Sequence, residues 1–477
     1  MSTAWLVAKK TLLRHLSDLR FIIASSLVIL LMGISSLLMS QEIGERLRND
    51  VVRRSTAVKN LEHIEVVKTP SPLAFIADGG EADLPWTVDV KPEYIDTLAF
   101  ISLRRLPIEP PIDWTYIVTV IMSLVALFFS HDLVAGEKES RLLPWQFSNP
   151  VRRGTFLLGG YLGIMVSFCP VLLVGVLASL LIVLIMGAVE LSLDHLIRVV
   201  FIVGLALLYV SIFILLGILM SSLSHQPVTA LIGGLMVWAL LVIIIPYSSG
   251  ALAATLIHVP TDQQVHREIR SVRTQLARFS ISSEMIRDIV EGQGSREEKQ
   301  RRIDRRAIEL EARYEEQRRE AERRIGRVIE DYSRKRDQQI SLAYRLARLS
   351  PVGVFQLATT ELSNTGFSHH RNFLENAYRY RLIFKKYSDR IKRANRDQAK
   401  PRAQGSASIG GFTIHVVFER DYTDIPVDPA TFPNFSDEWP PLQKSLQRVL
   451  FDIGLLGSWN ILLFVMAVLR FLNYDVR

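Results

Sequence analysis

Apolar and charged residues fall along this chain in blocks. Residues 199–261 contain no Asp, Glu, Lys or Arg, whereas 39 of the 87 residues in 262–348 are charged. A helix needs about 20 apolar residues to cross a bilayer core, because each residue rises about 1.5 Å. Six segments satisfy this: 21–40, 114–130, 156–189, 199–220, 228–247 and 449–469. The third is long enough to tilt or to kink at Pro170. Ser-Ser-Leu-Ser-His-Gln-Pro at 221–227 is the turn between the fourth and fifth.

The pattern changes outside these runs. In residues 2–20, Trp5, Ala8, Leu12, Leu16 and Leu19 recur at three-to-four spacing, with Lys9, Lys10, Arg14 and Asp18 elsewhere on the wheel. That predicts an amphipathic helix lying in the membrane interface. In 262–348 a near-heptad stripe runs through Val265, Ile269, Val272, Leu276, Phe279, Ile286 and Val290. It breaks at Gly292-Gln-Gly294 and resumes at Ile303, Ala307, Leu310, Tyr314, Ala321, Ile325, Val328, Tyr332 and Ala343. Ser295 and Glu298 form a capping box at the restart. The expectation is a long antiparallel helical hairpin, a stalk of about 75 Å, whose Arg and Glu faces are solvated.

Ile64-Glu-Val-Val, Trp86-Thr-Val-Asp-Val and Phe412-Thr-Ile-His-Val-Val-Phe read as strands, punctuated by Gly79-Gly80 and Gly410-Gly411. Residues 41–113 and 404–436 are therefore expected to meet in one small α/β domain. Residues 350–395 are expected to be helical and close to the membrane, and Lys400-Pro-Arg-Ala-Gln-Gly-Ser-Ala-Ser to be a mobile link.

Composition narrows the class. Of 477 residues 49% are hydrophobic and 22% charged, and the mean hydropathy is +0.22. This excludes a soluble enzyme with one ordinary core and a fully disordered chain. A net charge of +8 could suggest nucleic acid, but the basic residues interleave with acids, so none is expected as a partner. Cys169 is the single cysteine, so no intramolecular disulfide can form.

Basic residues orient the spans. Lys9, Lys10, Arg14 and Arg20 precede the first, Lys138, Arg141, Arg152 and Arg153 separate the second from the third, and Arg470 and Arg477 follow the sixth. Both termini and the loop 131–155 are then cytoplasmic, and the large loops 41–113 and 248–448 lie outside. A cleaved signal peptide at the N-terminus is disfavoured, because the apolar stretch is too long and its polar lead unusual.

The loop 131–155 carries the most specific pattern. Glu137, Lys138, Glu139 and Arg141 form a charged edge and Leu142, Leu143, Trp145 and Phe147 an apolar one, interrupted by Pro144 and Pro150. A short two-sided helix under a bundle suits docking to a soluble partner. Elsewhere, His369-His370 read as surface histidines, since adjacent histidines do not share a helix face. His131-Asp132 read as a polar pair at a span end, Glu190 and Asp194 as solvated, and Asp452 as either interfacial or lining a path. No nucleophile–base arrangement is evident.

Gly136-Glu-Lys-Glu-Ser-Arg-Leu-Leu, Ser148-Asn-Pro-Val-Arg-Arg and Leu157-Leu-Gly-Gly-Tyr-Leu together resemble the second-to-third-span loop of ABC-2 type transporter permeases. Ser140-Arg141 departs from the Gly-Thr or Arg-Gly pair more frequent there. Lys68-Thr-Pro-Ser-Pro-Leu-Ala-Phe-Ile-Ala-Asp-Gly, Leu349-Ser-Pro-Val-Gly-Val-Phe-Gln-Leu and Thr431-Phe-Pro-Asn-Phe resemble markers of the subgroup with large periplasmic domains, the copper-enzyme-maturation and gliding-type permeases.

The resemblance implies an α-helical integral membrane protein of the bacterial inner membrane. It would have six transmembrane helices and a periplasmic α/β domain carrying the helical hairpin. It further implies a non-catalytic transport subunit that pairs with a second permease copy and with ABC ATPase subunits. Residues 132–147 would be the coupling helix, assisted by the 2–20 helix with Trp5, Lys9, Leu12 and Leu16. The chain contains no Gly-Lys dipeptide and hence no Walker A loop. ATP and Mg are therefore expected on the partner ATPase, with no cofactor and no metal here. Two outputs stay open: export of a hydrophobic or amphiphilic cargo, or movement of the stalk against a periplasmic or envelope partner.

Overall fold

The computed structural model describes residues 3–56, 60–81, 84–96, 112–141, 152–187, 189–278, 284–409, 411–422, 425 and 431–473. Six described helices are long and apolar enough to cross a membrane. The first span lies in α2 (Leu19–Thr56), which follows α1 (Thr3–Ser17). The second begins at α3 (Trp114–Tyr116), passes through a π-helical turn (Ile117–Met122) and continues as α4 (Ser123–Ser130). The short α5 (Ala135–Glu139) follows it.

The third and fourth spans are α6 (Arg153–Met186) and α7 (Leu193–Leu223). The fifth is α8 (Pro227–Ala239), a second π-helical turn (Leu240–Ile244) and α9 (Ile245–Leu256). The sixth is α15 (Leu442–Leu472). All six expected spans are present and most are longer than their apolar runs. The third instead stops at Met186, where Gly187 adopts a left-handed conformation.

The two π turns have local causes. In the fifth span the Ile245 amide bonds to the Leu240 carbonyl, five residues back. The next carbonyl, Leu241, would pair with Pro246, which has no N–H. The Ser350 hydroxyl donates to that carbonyl instead. In the second span the Tyr209 hydroxyl donates to the Thr119 carbonyl at 2.8 Å, and Trp238 Nε1 donates to Ser123 Oγ at 2.9 Å. The wide turn of the second span is thus met by Tyr209 of the fourth, and that of the fifth by Ser350, outside the spans.

Beyond the spans, α10 (Asp262–Ala277) and α11 (Glu284–Glu291) run back along α12 (Arg296–Ala347), whose 52 residues extend about 78 Å. The Ser295–Glu298 capping box is formed as expected. Val265, Ile269 and Val272 pack on Ile325 and Tyr332 of the expected seam, and on Ile329, which takes the buried place expected of Val328. Of the expected seam, Phe279 and the side chain of Ile286 lie outside the described residues.

At its base α12 packs against α9, and Gln339 Nε2 donates to the Ile257 carbonyl at 2.9 Å. The chain then turns into α13 (Pro351–Ser363), which enters the bundle between the fourth and sixth spans. There Phe355 stacks on Tyr209, midway along α7, with ring centroids 4.9 Å apart.

The strands form two sheets, and the two loops meet in part: Ile425, Phe432 and Phe435 join the core under the first sheet. β1 (Ile64–Val67), β2 (Thr87–Val90) and β3 (Ile95–Asp96) make an antiparallel sheet in the order β1-β2-β3. Its inner face packs on α14 (Gly366–Ala394) through Val66, Val90, Phe373 and Phe384. β4 (Lys400–Ile409) and β5 (Phe412–Asp421) form a separate hairpin. It leans on the stalk through Ile414 and Val416 against Ile303 and Leu310. The expected mobile link from Lys400 is therefore β4. Its residues are mostly polar or small because the strand alternates between fully and half-exposed positions, with only the second kind facing the stalk side.

Candidate functional site

At the end of the bundle away from the stalk, α1, α5 and the α7–α8 turn converge. Hydrogen-bond needs at helix ends explain the geometry. The first amides of a helix and its last carbonyls have no partner within it. Ser221 Oγ, near the end of α7, accepts from the Val134 and Ala135 amides at 3.0 and 2.8 Å, so it caps the start of α5. Lys138 Nζ, on α5, donates to the Ser222 and Ser224 carbonyls at 2.8 and 3.0 Å, so it caps the end of α7. Each helix closes the other.

Helix α1 is held by close approach. The Ala4 and Ala8 carbonyls lie where a Cβ on Gly159 or Gly163 would stand, at 2.7 Å. Only glycine lets the two backbones meet there, the role small residues take between membrane helices. Arg14 Nη2 meets Asp132 Oδ2 at 2.8 Å, and Lys10 Nζ meets Glu137 Oε1 at 3.5 Å. Both pairs are partly exposed, so they set position more than stability. His131-Asp132 is a polar pair at a span end, with Asp132 engaged by α1.

The expected apolar stripe on α1 is therefore not its packed face. Ala8 is buried, with Thr11 and His15, whereas Trp5 and Leu16 are exposed and Leu12 is half-buried. Where Gly159 and Gly163 oppose it, the packed face presents Ala4, Ala8 and Thr11. Lys9 is exposed. In the loop, Glu137 and Lys138 turn inward to partners in this chain, and Glu139 and Arg141 are left exposed. Arg141 has a left-handed backbone, φ 55°. Leu142, Leu143, Trp145 and Phe147 lie outside the described residues.

The family model described as ABC-2 family transporter protein matches residues 5–476, nearly the whole chain. The chain belongs to the ABC-2 transporter family. It is a multi-pass membrane protein with six apolar helices and a permease role, and family membership implies an ABC ATPase as partner. No curated protein matches the chain.

In this ABC-2 permease the stalk end holds a second polar assembly that the sequence concealed. His369 and His370 are buried, contrary to the surface reading. Helix spacing does place them on different faces, but neither face is open to solvent. His369 Nδ1 lies 2.9 Å from Glu81 Oε1, and its Nε2 lies 3.8 Å from Asp437 Oδ2. Lys68 Nζ meets the same Glu81 oxygen at 2.5 Å and sits 4.4 Å from the Trp86 ring centroid. Burial alone would raise Glu81, yet Lys68 and His369 hold it at about 2. Burial would lower His369, but Glu81 and Asp437 raise it. Burial pushes His370 down to about 3, with Lys68 adding to the effect. Among the described residues no group of three or more His, Cys, Asp or Glu is placed to hold a metal ion.

Glu190 and Asp194 are exposed as expected, but Asp194 pairs at 2.7 Å with Arg198, a fully buried guanidinium. Arg198 also donates to the Leu362 and Pro440 carbonyls and to Ser445 Oγ, tying the starts of the fourth and sixth spans to the end of α13. Asp452 is buried against Arg348, at the joint of stalk and sixth span.

Ser221, Gly159, Gly163 and Arg198 were missed as positioning residues. A Gly-x-x-x-Gly spacing at 159–163 was a usable signal. The acceptors of Arg198 are remote in sequence, and nothing local announces them.

Proposed function

We propose that this chain is the membrane-spanning subunit of an ATP-driven exporter in the bacterial inner membrane. It works beside a second permease copy and takes its energy from separate ATPase subunits. The observation that carries this reading is the reciprocal cap between α5 and α7. A short helix at the end of the bundle, fixed to α7 by Ser221 and Lys138 and to α1 by Glu137, with Asp132 just before it held by Arg14, passes any push on it to several spans at once. On this reading both termini and α5 face the cytoplasm. The exposed Trp5, Leu6, Leu13 and Leu16 of α1 lie in lipid. Glu139 and Arg141, with Leu142, Leu143 and Trp145 beyond them, meet the ATPase.

The test is co-purification of the ATPase with the full chain. Trp145→Ala, or Glu139→Ala combined with Arg141→Ala, should lower the amount recovered. Unchanged recovery for both counts against the site.

A second reading has its own support. The stalk base is fastened to the fifth span by Ser350 and Gln339 and to the sixth by Arg348. Motion of those spans would then swing the stalk against a periplasmic or envelope partner, with no cargo crossing. If shortening the stalk abolishes function while nucleotide hydrolysis stays coupled, the stalk is the output.

A further inference from the structure

Residues 71–77, between β1 and the second span, leave the sheet and enter the bundle. Leu73, Ala74, Phe75, Ile76 and Ala77 are all buried, and the first four belong to the same core as the spans. Phe75 meets Trp114 edge-to-face at 5.4 Å, and Thr115 donates to the Ile76 carbonyl from its amide and its hydroxyl, both at 3.2 Å. Beneath Ile76 is a cavity of about 10 Å³ lined by Met32, Trp114, Leu172, Ile202 and Phe355. These come from the first four spans and from α13, so the loop tip sits where they converge.

The neck of the loop is charged and buried. Lys68 and Glu81 close it by pairing at 2.5 Å. Its other ties come from separate elements. Arg46, on the extension of the first span, meets Asp78 at 2.8 Å. Asp113, at the start of the second span, accepts from the Asp78 amide at 3.0 Å. Ser71 donates to the Ser363 carbonyl at 2.5 Å, and His369 on α14 lies beside Glu81. Asp437, on the approach to the sixth span, accepts from the Thr69 amide at 3.0 Å.

A permanent lid is held at least cost by apolar packing. Buried ion pairs cost desolvation and fail sharply when one partner leaves, which suits a joint with two states. We propose that residues 71–78 are the outer gate of the bundle, a plug seated by its apolar tip and latched by Lys68, Glu81, His369, Asp437 and the Arg46–Asp78 pair, so that relative movement of the spans releases it. This inference rests on the permease reading above.

The test uses the full chain in proteoliposomes with Cys169→Ala, a reporter Ala74→Cys, and a membrane-impermeant maleimide on both faces. Ala377→Cys, buried in the α14 core, reports global unfolding. Ala74→Cys should be protected in the latched protein. Glu81→Gln should raise its labelling at least about tenfold, since a buried pair that loses one partner is strongly destabilised, while Ala377→Cys stays protected. If Glu81→Gln also exposes Ala377→Cys, the milder Asp437→Asn replaces it, with the same expectation.

Rapid labelling of Ala74→Cys without any latch mutation overturns the plug. Continued protection in both latch variants overturns the latch. Adding the co-purifying ATPase and ATP should also raise labelling of Ala74→Cys. Latch-dependent protection that ignores ATP supports the plug and counts against the ATP-driven reading alone.

Discussion

Arg348 and Asp452 form a two-pronged ion pair, Nε to Oδ1 at 2.6 Å and Nη2 to Oδ2 at 3.1 Å, which joins the stalk base to the sixth span. Asp452 is buried and Arg348 about one-third exposed. Asp452→Ala should therefore destabilise by about 2–3 kcal/mol, below the range for fully buried pairs because solvent screens the arginine. Arg348→Met with Asp452→Leu should be closer to wild type than either single change, as the double removal strands no charge. Unfolding midpoints of the four proteins in detergent check this. Additive single effects would mean the pair holds nothing.

Lys138 separates positioning from docking. Its ammonium is engaged by the α7 carbonyls, so Lys138→Met should leave ATPase recovery near wild type. It should also lower ATP-driven output several-fold, because a partly buried charged capping contact of this kind contributes about 1–2 kcal/mol. Lys138→Arg should restore part of the output. Loss of ATPase recovery in Lys138→Met would instead place this side chain at the partner's surface.

Most of the membrane architecture was legible because lipid imposes one demand on every span, some 20 uncharged residues. The stalk was legible for a similar reason: Val265, Ile269, Ile303 and Leu310 repeat where nothing else would select them. What stayed hidden depends on partners distant in sequence. His369 reads as a surface residue until Glu81, 288 positions away, is seen beside it. β4 reads as a flexible link because its small residues face the stalk and its polar ones face water. The inward turn of Glu137 and Lys138 was equally unreadable, since the Lys10, Ser222 and Ser224 contacts arise only from packing.

Gly79 and Gly366 make the joint behind the plug. Both have left-handed backbones, φ 60° and 66°, and a Cβ on Gly366 would stand 2.7 Å from the Gly79 carbonyl oxygen. Gly366→Ala should destabilise by at least about 1–2 kcal/mol from the conformation alone, with the clash adding to it. Gly187→Ala is the control: its φ is 59° but nothing lies near its Cβ, so it should carry only the conformational part. Equal losses at the two sites would argue that the loops at Gly79 and Gly366 are not in contact.

The histidine pair gives opposite pH signatures. His369 is raised, so its contribution is complete below about 6.5 and is lost as pH rises through its folded value. His370 is depressed to about 3, so its contribution is complete above about 6.5 and is lost as pH falls from there. Glu81, held at about 2, loses its share only below about 4.5. The charged groups facing the pair are Lys68, Glu81, Asp437 and Arg336. Between pH 6 and 5 His369 is mostly protonated whether folded or not, and Glu81 is ionised in both states, so within this cluster His370 sets the slope. Its share of the stability should fall there by up to about 1.4 kcal/mol per pH unit. His370→Gln should flatten the fall. His369→Gln should lower stability at pH 6 and leave the slope in place. Unfolding midpoints of the full chain in detergent at pH 5, 6 and 7 decide it, and an unchanged slope in His370→Gln would mean this histidine is not kept neutral in the folded protein.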